Sequence, residues 1–181
     1  ISISDNTAAD ALIRIVGAAA LRPYASGNDP FLTTREMFVL HSVPNADLRD
    51  AYVAAATPAA RRVVTQRAAA RPLPTVSQLA SSPMPAIEWH YSVRRLCELM
   101  ERVANLPLMS INPGVADPDA FRHVAYKGGS DTGVINMTTA VTTRRGSRIC
   151  FSATLNDPQH AVAELGFETS YSAVLRALAQ L

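Results

Sequence analysis

An α+β fold is expected of this 181-residue chain from three features of its sequence. Capped, helix-periodic segments fill its first two-thirds. After Pro113 the apolar period changes from helical to alternating, and from Tyr171 to Leu181 it is helical again. Hydrophobic residues make up 48% of the chain, enough for a core, and the mean hydropathy is +0.07. No apolar run approaches the roughly 20 residues of a membrane-spanning helix.

Ser4-Asp5-Asn6-Thr7 begins the first helical pattern, which continues through Leu12, Ile15 and Val16 and stops near Gly17. Short polar side chains satisfy the free N–H groups of a first turn, and glycine readily adopts the backbone that ends a helix. Thr33-x-x-Glu36 is a capping box for a second helix, with Leu32 and Met37 spaced as a hydrophobic staple. Thr57-Pro58 places a cap and a first-turn proline ahead of a helix through Val63 and Val64. Proline and serine then crowd residues 71–85, predicting an irregular connection. Ser92 caps a further helix with Leu96, Leu99, Met100 and Val103 on one face.

Phe121 to Lys127 predicts a short strand closed by Gly128-Gly129. Val134 to Thr143 alternates, with Ile135, Met137 and Val141 on one face. Arg145-Gly146-Ser147 predicts a turn, and Ile149, Phe151, Ala153 and Leu155 alternate beyond it, so the two segments form a hairpin with one apolar face. The last helix shows Tyr171, Val174, Leu175 and Leu178 on one side.

A net charge of +2 makes no case for nucleic acid or an acidic membrane. The cations are uneven, however: sixteen of seventeen are Arg, and Lys127 is the only lysine. A compact ammonium is not interchangeable with a planar guanidinium fork in a tight site, so Lys127 stands out. Cys97 and Cys150 show no CxxC spacing; two buried thiols are the ordinary reading, with a disulfide left open. The four His are scattered and show no metal-site spacing, so neither metal nor cofactor is implied.

Singly, Ser-Asp-Asn is an ordinary helix cap and Lys-Gly-Gly-Ser an ordinary turn. Together they carry more. Ser4-Asp5-Asn6 opening a helix resembles the S-D-N motif of class A β-lactamases and penicillin-binding proteins. Lys127-Gly128-Gly129-Ser130 resembles their K-T-G motif, 123 positions later and in the family's order. Leu32-Thr33-Thr34-Arg35-Glu36-Met37 resembles the helix start after the family's Ω loop, and the hairpin and final helix resemble its last strands and last helix. The resemblance implies the C-terminal portion of one β-lactamase/transpeptidase-like domain over residues 1–181: 1–118 mostly helical, 119–181 three strands and a terminal helix. It also implies a fold incomplete at the N-terminus, with an open sheet edge at 148–155 and an apolar groove behind Ser4, both filled by an upstream segment of the same protein.

The family forms an acyl-enzyme on a serine of an S-x-x-K motif. By resemblance, Ser4 would relay a proton to the departing nitrogen. Asn6 would bond the motif's lysine and the substrate amide, and Lys127 would hold positive potential over the substrate carboxylate. Gly129 and Ser130 would bind substrate, the Ser130 N–H as an oxyanion donor. Three departures stand out. S-x-x-K is absent, because Val124 lies three positions before the only lysine. Gly128 replaces the motif's threonine and removes its hydroxyl. Only 26 positions separate Asn6 from Leu32, too few for a full Ω loop, and its E-x-x-L-N pattern is missing; Asn28, Asp29 and, more remotely, Glu88 beside Trp89 are the candidates to replace its glutamate.

The implied function is a serine hydrolase acting on β-lactam, peptide or ester carbonyls, with its nucleophile upstream. The alternative is a catalytically weak or inactive β-lactam- or peptidoglycan-binding protein of the same fold. The implied partners are small-molecule substrates of that kind, and the implied location is the cell envelope or outside the cell.

Overall fold

Three helix starts in the first half of the chain, at Asn6, Thr34 and Pro58, coincide with side chains that cap them. In a computed structural model describing residues 2–181, α1 (Asn6–Val16) is capped by Asp5, whose carboxylate accepts the Ala8 N–H at 2.6 Å. It ends at Gly17, whose N–H bonds the Ile13 carbonyl, and α2 (Ala18–Leu21) follows. The capping box of α3 (Thr34–His41) is complete: Thr33 N–H donates to Glu36 at 2.7 Å, and Glu36 N–H donates to the Thr33 hydroxyl at 3.1 Å. Leu32 and Met37 are both buried, as the staple requires.

Helix α4 (Ala46–Ala54) has no capping bond from Asn45, whose side chain donates to Ser42 instead, and it escapes the sequence reading for that reason. Its buried Leu48 and Tyr52 hold it in place. Thr57 caps α5 (Pro58–Ala69) through the Ala60 N–H. These helices gather Leu32, Val39, Leu40, Leu48, Tyr52, Val64, Ala68 and Ile87 into one core. Residues 71–85 are largely irregular, relieved by one short 3-10 turn and a single bridge from Leu79 to Ser42. On α1 the apolar residues Leu12, Ile15 and Val16 are exposed, and the buried residue is Asp10.

The chain divides into two compact units, this helical one over Ser4–His90 and a second over Tyr91–Leu181 with residues 2–3. In the second, Ser92 caps α6 (Val93–Val103). Strands β1 (His123–Asp131), β2 (Val134–Thr142) and β3 (Arg148–Asn156) form an antiparallel sheet in the order β1-β2-β3, and α7 (Glu164–Leu178) follows. Among the described residues no other strand pairs with the outer edge of β1 or of β3. The alternation expected of the hairpin is present, and each face has its own helix. Met100 and Ala104 pack with Ala125, Ala140 and Cys150 on one face. Tyr171 and Leu175 pack with Val124, Met137, Val141, Phe151 and Ala153 on the other. The Tyr171 phenol donates to the Phe151 carbonyl at 2.7 Å and bonds the Thr139 hydroxyl at 3.1 Å, which lets a polar tip sit in an apolar core.

The second unit departs from the sequence reading in three ways. Cys97 on α6 and Cys150 on β3 form a disulfide across the helix–sheet interface, not two buried thiols. Spacing could not reveal it, because the sulfurs meet only when α6 lies on the sheet. Lys127-Gly128-Gly129-Ser130 does not close the first strand; β1 continues to Asp131, and the turn falls at Thr132-Gly133, where Gly133 has φ 82°. Helix α7 begins at Glu164, seven residues before Tyr171, because Phe167 also packs into the core cluster.

Candidate functional site

Strand β1 carries the second motif, and its hydrogen-bond parity decides which backbone groups are available. Thr143 N–H donates to Ser147 at 2.9 Å and Asp157 N–H to Gly133 at 2.8 Å, so odd-numbered residues of the β2 segment direct their backbone groups to β3. Ladders alternate, so the even-numbered residues turn to β1, in agreement with Arg122 N–H donating to Thr142 at 2.8 Å. The register pairs Lys127 with Thr138 and Gly129 with Asn136, which engages the backbone of Lys127 and Gly129 in the ladder. Tyr126, Gly128 and Ser130 therefore point N–H and C=O toward the open edge.

The side chain of Lys127 is half-buried, and its Nζ donates to the Gly128 carbonyl on that edge. Among the described residues no carboxylate lies within ion-pair distance of it. Burial pushes its pKa below the ordinary lysine value. An ammonium held this way, with one carbonyl for a partner and donors to spare, is suited to a ligand anion.

Beside Lys127, on the same face of the sheet, lies a polar array that the sequence reading missed. Asn136 donates through Nδ2 to Thr154 at 2.7 Å and to the Ala153 carbonyl at 2.9 Å. Thr138, only 3% exposed, donates to Asn136 Oδ1 at 3.1 Å and bonds Ser152 at 2.8 Å. Since the Thr138 proton goes to Asn136, Ser152 donates to Thr138, and the hydroxyls point one way along the sheet. The signal was present in part in the alternation: Asn136, Thr138 and Thr142 lie on the face opposite Ile135, Met137 and Val141, interrupted by Ala140.

Ser4 and Asn6 lie in the helical unit, both exposed. Ser4 has φ 56°, a left-handed conformation that costs an L-residue roughly 1–2 kcal/mol, and it directly precedes the Asp5 cap. Such strain concentrates at functional positions. Lys127, Gly129 and Ser130 are brought together on one strand of the other unit.

Asn28, Asp29 and Glu88, the expected stand-ins for an Ω-loop glutamate, make structural contacts. Asn28 clamps the chain at both ends of its amide: Nδ2 donates to the Ala25 and His90 carbonyls, and Oδ1 accepts the His90 N–H at 2.8 Å. Asp29 is ion-paired to Arg62. Glu88 lies 3.3 Å from His41 Nε2, and Trp89 donates to the Leu32 carbonyl at 3.1 Å.

No protein-family model matches the chain, and no curated protein matches it.

Proposed function

We propose that the chain is the C-terminal portion of an acyl-serine hydrolase of the β-lactamase and penicillin-binding type. A serine on an upstream segment attacks a β-lactam, peptide or ester carbonyl. The acyl C–N or C–O bond breaks, Ser4 passes a proton to the departing atom, and water later cleaves the acyl-serine ester. Lys127 holds the substrate carboxylate, Asn6 the substrate amide, and the Ser130 N–H the oxyanion, with Gly129 keeping that strand free of side-chain bulk. The missing strands of the β-lactamase/transpeptidase-like sheet would pair with the outer edge of β3. Family substrates of this kind place the protein at the cell envelope or outside the cell.

One observation carries this reading. Among the described residues, the only lysine is half-buried with no carboxylate at ion-pair distance, and it shares β1 with a serine, three positions on, whose backbone N–H faces an unpaired strand edge. That is an anion site beside a backbone donor, the pair of features an acyl transfer on a carboxylate-bearing substrate needs. The test is covalent labelling of the full-length protein by a tagged penicillin or an activated ester, followed by mass. The parent is expected to gain one acyl group, and Lys127→Arg to label at least tenfold more slowly although its charge is kept. Absence of any adduct, or equal rates in the two proteins, would overturn the proposal.

A second reading is favoured by the engagement of Asn28, Asp29 and Glu88 in structural contacts, which leaves no spare base for a deacylating water among them. The protein would then acylate and hold the product, acting as a weak enzyme or a β-lactam- or peptidoglycan-binding protein. Persistence of the labelled adduct over hours distinguishes this from turnover.

A further inference from the structure

The replacement of the K-T-G threonine by Gly128 has a counterpart one residue before the lysine. The Tyr126 ring runs along β1 over Gly128: a Cβ at position 128 would stand 2.0 Å from the Tyr126 hydroxyl and 2.8 Å from the ring carbon bearing it. On its other side the ring fills the space above Gly114, where a Cβ would meet three ring carbons at 2.7–2.8 Å. Two glycines thus leave the space that the ring fills, and the phenol oxygen occupies the position that a side chain at residue 128 would take.

That oxygen has no protein hydrogen-bond partner among the described residues, and it is not one of the polar atoms sealed from solvent. Burial, and then the charge of Glu168 on α7, push the phenol pKa above its ordinary value, so the group is a proton donor at neutral pH. Lys127 bonds the carbonyl of the same Gly128 from the other face of the strand. A phenol donor and an ammonium are therefore both anchored on one residue whose N–H and C=O face the open edge. A phenol with no protein partner among the described residues and an ammonium that bonds one carbonyl, both next to Gly128, are matched by a ligand carboxylate at the strand edge, which accepts at both oxygens.

We propose that Tyr126 is a substrate-binding residue of this site, its hydroxyl donating to the ligand carboxylate in place of the side chain that Gly128 lacks. This rests on the reading of Lys127 given above. The ligand class is an acylated amino acid or β-lactam with a free carboxylate, and Tyr126 makes the site prefer the acid over its neutral amide.

The experiment is equilibrium titration of the full-length protein with N-acetyl-D-alanyl-D-alanine and with its C-terminal amide, alongside penicillin labelling. Tyr126→Phe keeps the ring against Gly114 and removes only the oxygen. It is expected to weaken the acid at least tenfold, the scale of a hydrogen bond to a charged group, and to leave the amide unchanged. Because Tyr126→Phe could disturb packing, the pair Tyr126→Ala with Gly128→Thr moves the hydroxyl to position 128. It is expected to regain part of the preference lost in Tyr126→Ala alone. Equal acid affinity in the parent and Tyr126→Phe, with Lys127→Met still weakening it, would overturn the role of Tyr126 and leave the role of Lys127 standing. No preference for the acid in the parent would overturn both. Acid preference that is lost in Tyr126→Phe, without penicillin labelling, would support Tyr126 as a binding residue while ending the hydrolase proposal.

Discussion

The Asp10 carboxylate reaches from α1 to the start of α3 and accepts the Thr34 N–H at 2.7 Å, with its second oxygen accepting the Arg35 N–H at 2.9 Å. An acid is thus buried, at 6% exposure, where two first-turn N–H groups and the positive end of a helix meet it. This contact joins the Ser-Asp-Asn helix to the capping-box helix. On α1 the apolar side chains Leu12, Ile15 and Val16 are exposed, so Asp10 is the residue that anchors it.

Asp10→Ala is expected to destabilise the helical unit by about 2–4 kcal/mol, because two N–H groups lose charged acceptors in a buried place. Urea unfolding followed by proteolysis within residues 4–90 measures it. Asp10→Asn, which keeps one acceptor oxygen, is expected to cost less.

The Cys97–Cys150 disulfide closes a span of 53 residues between α6 and β3. Constraining a loop of that length in the unfolded chain contributes about 4 kcal/mol by the chain-entropy relation. Cys97→Ser with Cys150→Ser, or treatment with a reductant, is expected to lower the melting temperature of the sheet unit. Thiol titration of the denatured, unreduced protein is expected to find no free cysteine.

Lys127 is held with a depressed pKa by burial alone. Between its folded and unfolded pKa values the unfolded chain binds more protons, so the unliganded fold gains stability as pH rises through that window. The carboxylate binding proposed for Lys127 is expected to run the other way, full below the folded pKa and lost above it as the ammonium is discharged. Titrations of stability and of ligand affinity across the alkaline range check both signs, and Lys127→Met is expected to abolish both trends.

Gly128→Ala places a methyl group on the Tyr126 hydroxyl and cannot be absorbed without moving a ring already confined over Gly114. Overpacking of this kind costs about 1–3 kcal/mol. The same change made with Tyr126→Leu is expected to cost much less, and a double-mutant cycle on the unfolding midpoint reads the coupling directly.

The local chemistry of this protein was legible in one dimension. Asp5, Thr33, Thr57 and Ser92 announced four helices because a cap and its N–H partner lie within three residues of each other. The alternation in β2 and β3 announced the sheet and its apolar face because strand geometry has a period of two. The lone Lys127 was conspicuous by composition, and a strand ending at it was expected, whereas its place on an edge strand came from the sheet order.

What the tertiary structure decided depends on residues far apart in the chain. Asp10 is 24 residues from Thr34, and Cys97 is 53 from Cys150; neither partner carries a mark that names the other. Helix α4 has no capping bond, and it is placed by burial of Leu48 and Tyr52, a term that exists only after the core has formed. Gly128-Gly129 reads locally as a turn because glycine adopts turn backbones, yet position 128 is a glycine that keeps the strand extended beneath the Tyr126 ring. Excluded volume between side chains two residues apart on one face removes the side chain there, and sequence spacing does not record excluded volume.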